Sequence, residues 1–188
     1  MKIALSLWLL FLFAVQLQAQ EKAWEFPDPE GKMHEPLKAG AKKGILLFFV
    51  SPYCPTANTL MPEINNIANE YAGDFASYVV HADPAIKVTD AYQHAVMFKV
   101  EAATVLLDAE QRLAKRVQAK ITPEAVVLGP DGKVLYQGRV NDLYLGATKR
   151  QRKATTRDLR DALEAVQMGK PVAMARTEAV GCKIAGME

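Results

Sequence analysis

The stretch "FFVSPYCPTAN" (residues 48–58) places Cys54 directly after an apolar run and directly before a proline. A sulfur in such a place can be a nucleophile, a metal ligand or half of a disulfide. A Cys-x-x-Cys redox pair would need its second thiol at Ala57, and a Cys-x-x-x-Cys copper motif would need it at Asn58. The chain's other cysteine is Cys182, near the C-terminus. If Cys54 opens a helix, it faces unpaired backbone N–H groups and the positive end of the helix dipole. Both favour the thiolate, which is the nucleophilic form. Pro55 fits the first helical turn, where a missing N–H is harmless. The alternative is an inert, buried cysteine that caps the helix.

Those roles depend on the elements around Cys54. "GILLFFV" (44–50) is a continuous apolar run of the kind found in strands buried on both faces, and predicts a strand leading into Cys54. Leu60, Ile64, Ile67 and Tyr71 recur at helical spacing and predict a helix after it, with Pro62 inside. "FASYVVHAD" (75–83) predicts a second strand, stopped by Pro84, and Val88, Tyr92 and Ala95 mark a second helix. A short strand "TVLLD" (104–108) and a short helix "EQRLAKRVQAK" (110–120) follow. Pro130-Asp131-Gly132 between "AVVLG" and "KVLYQGRV" is strong hairpin-turn chemistry. "TRDLRDALEAV" (156–166) predicts a last helix, ended by Gly169 and Pro171. Strand, helix, strand, helix, hairpin and helix in that order predict an α/β sandwich with a mixed central sheet.

The N-terminus speaks to the compartment. Lys2 precedes an apolar stretch from Ile3 to Val15, broken only by Ser6, and Ala19 offers a small residue to cut behind. This is the pattern of a cleaved signal peptide, too short for a spanning helix, with an uncleaved anchor as the alternative. The expected location is periplasmic or secreted. No cysteine lies near the cut, which argues against a lipoprotein. The formal net charge is +2, and removing residues 1–19 takes away only Lys2. That balance gives no reason to expect nucleic acid, or a membrane beyond export. Exported thiols tend to be oxidised, and two cysteines invite pairing. The expected divisions are a signal peptide at 1–19, a loose lead-in at 20–43, one domain at 44–167 and a tail at 168–188 that carries Cys182.

The order of these elements resembles the thioredoxin fold, a three-layer sandwich, and within it the redoxin branch of peroxiredoxins and exported thiol–disulfide oxidoreductases. Cys54 at the strand-to-helix junction, Pro62 eight residues on, the Thr122-Pro123 step and "PDGKVLYQGRV" carry the resemblance. "CPTANTLMPEI" together with "VGCKI" (180–184) looks like an exported redoxin subgroup with one cysteine in the motif and a Gly-Cys near the C-terminus. The resemblance implies a cis bond between Thr122 and Pro123, facing Cys54. It implies thiol-based redox chemistry through Cys54, with Cys182 as a resolving thiol, and no cofactor. A structural Cys54–Cys182 staple is the other possibility. Closing a loop of about 127 residues would stabilise by about 4–5 kcal/mol on the chain-entropy estimate.

Thr122 and Pro123 would shape the substrate site beside Ser51 and Pro55. Peroxiredoxins carry a Thr or Ser three residues before the reactive cysteine, where Ser51 stands, and use an arginine near it, for which Arg139 is the candidate. The partners implied are a peroxide or a protein disulfide as substrate, and a thiol electron donor. A second function class is a non-catalytic thioredoxin-like module that binds copper or a partner protein, its cysteines structural. Copper chaperones of this fold use two cysteines and a histidine, and His81 and His94 would be available for Cu(I). Without the neighbouring second cysteine, both histidines are read as surface or packing residues, and no metal site is expected. The basic run at Lys149, Arg150, Arg152, Lys153, Arg157 and Arg160 is read as a solvated loop and helix start.

Overall fold

The computed structural model describes residues 23–187. The expected signal peptide lies outside them. A small hairpin comes first, β1 (Phe26–Pro27) with β2 (Met33–His34). The chain then alternates: β3 (Gly44–Phe49), α1 (Pro55–Glu70), β4 (Phe75–His81), α2 (Val88–Phe98), β5 (Thr104–Leu107) and α3 (Arg112–Val117). Next are β6 (Ile121–Thr122), β7 (Glu124–Leu128) and β8 (Val134–Gly138), followed by β9 (Tyr144–Gly146) and β10 (Lys149–Arg150). The last elements are α4 (Asp158–Gln167) and β11 (Cys182–Lys183).

The central sheet has the order β5-β4-β3-β7-β8. β3, β4 and β5 are parallel, while β7 runs antiparallel to both β3 and β8. Every residue of β3 is buried, as its unbroken apolar run requires at the centre of a sheet covered on both faces. Its side chains alternate between the layers. Leu46 and Phe48 pack with Leu60, Ile64 and Ile67 of α1 and with Leu159 and Leu163 of α4. Ile45, Leu47 and Phe49 pack with Leu113 and Val117 of α3 and with Phe26. This is a thioredoxin-like three-layer α/β/α fold.

Three features depart from the sequence expectations. The lead-in is packed rather than loose: Phe26 and Ala39 are buried in the second core layer, and Asp28 accepts bonds from the Glu30 and Lys32 amides and pairs with His34. α2 buries Ala91 and His94, whereas Val88 and Tyr92 are half-exposed. The tail, set apart from the domain in the expected divisions, packs along the sheet edge. Gln137 of β8 donates its amide to the Ala175 carbonyl at 2.9 Å, and Thr177 donates to the Gln137 carbonyl at 3.1 Å. Gly138 permits this close approach at φ +153, since a Cβ there would lie 2.8 Å from the Thr177 nitrogen. An unpaired edge strand is a template for unwanted pairing, and the tail covers it.

Candidate functional site

The chain leaves β3 through a tight turn. Val50 donates to the Val80 carbonyl at 3.0 Å, Tyr53 to the Ser51 hydroxyl at 3.3 Å and Cys54 to the Ser51 carbonyl at 3.1 Å. Cys54 is the N-cap of α1, in extended conformation at φ −98 and ψ 109, and Pro55 occupies the first helical turn. A cap side chain meets the helix amides that have no carbonyl partner, and the Ala57 N–H lies 3.5 Å from Sγ. Cys54 as a residue is 1% exposed.

The opposite wall comes from β6. The Thr122-Pro123 peptide bond is cis. The Thr122 carbonyl lies 2.9 Å from Cys54 Sγ and accepts its thiol proton. The loop is braced from below by buried Glu124, whose carboxylate accepts from the Lys120 amide at 2.9 Å and the Gln137 side chain at 3.1 Å. β11 then pairs antiparallel with β6 and sets Cys182 directly opposite Thr122. The Thr122 hydroxyl donates to the Cys182 carbonyl at 3.3 Å. Cys54 and Cys182 thereby line one cleft, and each thiol influences the ionisation of the other.

The two thiols are electrostatically unequal. Burial pushes the Cys54 thiol up, but its polar neighbours, the Cys182 thiol first and then the Ala57 amide, outweigh it and hold Cys54 below its ordinary value. The Thr122 carbonyl works the other way, because it can hold only the protonated form. Cys182 is pushed up to about 11 by burial, by its bond to Cys54 and by the Cys54 charge. Of the two, Cys54 is therefore the sulfur that ionises more readily.

A cleft of about 140 Å³ opens beside the sulfurs, lined by Ser51, Tyr53, Asp83, Thr122, Cys182 and Lys183 among others. Ser51 and Thr122 are thus at the site with Cys54 and Cys182. Pro55 heads the helix on an exposed turn, and Pro123 is buried behind Thr122. Arg139 is placed elsewhere: its guanidinium makes a two-pronged ion pair with Asp158 at 3.0 and 3.1 Å, and it does not line the cleft. His81 and His94 are both buried, which corrects the surface half of their reading. Among the described residues no group of three or more His, Cys, Asp or Glu side chains could hold a metal ion. In the basic run, Lys149, Arg150, Arg152 and Lys153 are exposed, Arg157 pairs with Glu164, and Arg160 pairs with Glu63 and Glu70.

Gly181 has no counterpart in the sequence reasoning beyond its place before Cys182. A Cβ there would overlap the Thr122 carbonyl oxygen and lie 3.1 Å from Pro123 Cδ. Only a residue without a side chain lets β11 dock against the cis-proline strand. Gly181→Ala is therefore expected to lift Cys182 from the site and slow Cys54–Cys182 disulfide formation about tenfold, since the reacting sulfurs lose their alignment. Stopped-flow oxidation by a small disulfide would measure it, and an unchanged rate would show that the tail docks without this close approach.

No family model matches the sequence, and no curated protein matches it. Solved structures do match its fold. A hypothetical protein from Sinorhizobium meliloti is 25% identical, with a TM-score of 0.73 over 85% of this chain and 88% of that one. An uncharacterized conserved protein from Geobacillus kaustophilus is 21% identical, with a TM-score of 0.69 over 87% and 89%. A secreted Mycobacterium tuberculosis disulfide oxidoreductase homologous to Escherichia coli DsbE is 17% identical, with a TM-score of 0.56 over 76% and 96%. This chain has the fold they share.

Proposed function

We propose that the protein is an exported thiol–disulfide oxidoreductase in which Cys54 attacks and Cys182 resolves. The observation that carries this is the placement of Cys54 and Cys182 in one cleft, with Cys182 paired opposite Thr122 on the cis-proline strand, together with a Cys54 held below its ordinary pKa and a Cys182 raised to about 11. The Cys54 thiolate would attack one sulfur of a substrate disulfide, displacing the other as a thiolate that takes up a proton. Cys182 would then attack the Cys54 sulfur, giving up its own proton and releasing the second substrate thiol. Two electrons pass to the substrate, and the Cys54–Cys182 disulfide is left for an external dithiol to reduce. Loss of the Cys54 charge in the mixed disulfide removes one of the influences that hold Cys182 protonated, so the resolving thiol is freed when it is needed.

A disulfide substrate is favoured over a peroxide because no arginine lines the cleft among the described residues, Arg139 being engaged by Asp158. The likeness to a disulfide oxidoreductase described as secreted supports the chemistry, and the pattern of residues 1–19 supports export. Among the described residues no helix is long and apolar enough to cross a membrane. The reading is tested by mild oxidation followed by mass spectrometry of non-reduced peptides. The expected product is a monomer with Cys54 joined to Cys182. Intermolecular dimers alone, or two free thiols under oxidant excess, would overturn it.

A further inference from the structure

The catalytic proposal uses neither the buried histidines nor Asn58, four residues after Cys54. His94 is 3% exposed and His81 1% exposed, and their rings meet edge to face at 5.2 Å. Among the described residues Nδ1 of His94 and both ring nitrogens of His81 have no hydrogen-bond partner, although His81 lies against the backbone of Val50. Each unpartnered buried nitrogen destabilises the fold, so an aliphatic residue would serve packing better at these places. What His94 does make is a bond from Nε2 to Asn58 Oδ1, at 2.9 Å.

That bond sets the direction of the Asn58 amide. A neutral imidazole with its proton on Nε2 donates to Oδ1, which leaves Nδ2 to face the Pro52 carbonyl, 3.0 Å away. The reversed amide would set two carbonyl oxygens against each other. Asn58 also donates its main-chain N–H to the Cys54 carbonyl at 3.0 Å. It therefore grips the chain on both sides of Tyr53, through its side chain at Pro52 and its backbone at Cys54.

We propose that Asn58 and His94 form a positioning relay that holds the Pro52–Cys54 turn, and with it the Cys54 sulfur, where the Cys182 thiol and the Ala57 N–H reach it. The relay rests on Cys54 being the reacting thiol. Other titratable groups around the turn are Cys182 from β11, Asp83 and Lys183 in the cleft, and Tyr53, bonded to Asp90 of α2. The hydrogen bonds of Asn58 go to Pro52, Cys54 and His94 rather than to any of these, so substitutions in the relay act on Cys54 through the turn.

The test is the pH dependence of iodoacetamide alkylation of Cys54 in the reduced full-length protein, resolved by peptide mass spectrometry. Asn58→Leu and His94→Leu are expected to move the midpoint up by about one pH unit and to slow alkylation at pH 7 about tenfold. If either leucine variant fails to fold, His94→Met and His94→Gln decide. They are close in size, but only glutamine can donate to Asn58, so methionine should shift the profile and glutamine should restore it. A His94→Met profile that superimposes on wild type would overturn the relay. A wild-type Cys54 that resists alkylation at every pH would instead overturn the thiol chemistry on which it rests.

Discussion

Cys54→Ser is expected to abolish thiol–disulfide turnover, lowering it by at least about three orders of magnitude, because a serine hydroxyl is no nucleophile near neutral pH without an adjacent base. Among the described residues no such base is bonded to Sγ, whose hydrogen-bond partners are the Thr122 carbonyl and the Ala57 amide. Cys182→Ser should behave differently. Cys54 still attacks, but the mixed disulfide has no internal thiol to release it, so a disulfide-bearing peptide should remain attached to Cys54. The trapped adduct would gain the mass of one substrate half and vanish on treatment with a dithiol. Insulin reduction and intact-mass spectrometry read the two results. If Cys54→Ser keeps wild-type turnover, or if Cys182→Ser turns over without accumulating an adduct, the division of labour between the two sulfurs is wrong.

Acidification should destabilise the fold well above the carboxylate range. Burial lowers His94 to about 4, and burial together with the neighbouring His94 lowers His81 to about 3. The unfolded chain binds protons on both rings below about pH 6.5, while the folded protein does not until about pH 4 and then 3. Their contribution is therefore fully present above pH 6.5 and is lost progressively as pH falls from there. At roughly 1.4 kcal/mol per pH unit for each ring, the pair removes on the order of 5 kcal/mol between pH 6.5 and 4.5. That loss is comparable with the whole stability of a typical domain. The lowered carboxylates, among them Asp28, Asp74 and Asp142, add their own loss only at lower pH. Urea unfolding at pH 7 and pH 5 would measure the effect. His81→Phe should roughly halve the difference, whereas equal wild-type midpoints at both pH values would show that the rings are solvated or protonated in the fold.

Much of the scaffold could be read from local pattern. The unbroken apolar run at 44–50 became the central strand, and the spacing of Leu60, Ile64 and Ile67 became the buried face of α1. Pro130-Asp131-Gly132 became the turn between β7 and β8, with Gly132 at φ +75. The second helix was legible as a helix, but its buried face was not. Val88 and Tyr92 are larger and more apolar than Ala91, so a pattern of apolar residues selects the wrong side. Ala91 and His94 face inward because α2 packs closely on β5 and because His94 has a partner in Asn58. Likewise Arg139 had the right residue type for an anion site, but Asp158, nineteen residues away, holds its guanidinium.

By itself the sequence determined the α/β layering and the placement of Cys54 at a helix start. Strand burial, helical period and turn chemistry act between residues a few positions apart, and each leaves its mark in residue types. The placement of Cys182 beside Cys54 was decided only in the tertiary structure. It depends on the route of a tail that touches β8 through Thr177, crosses to β6 and docks through Gly181, every step a contact between residues distant in sequence. Such contacts form because close approach of two backbones satisfies main-chain hydrogen bonds that neither segment can satisfy alone. Nothing in either segment's local pattern records which partner will satisfy them.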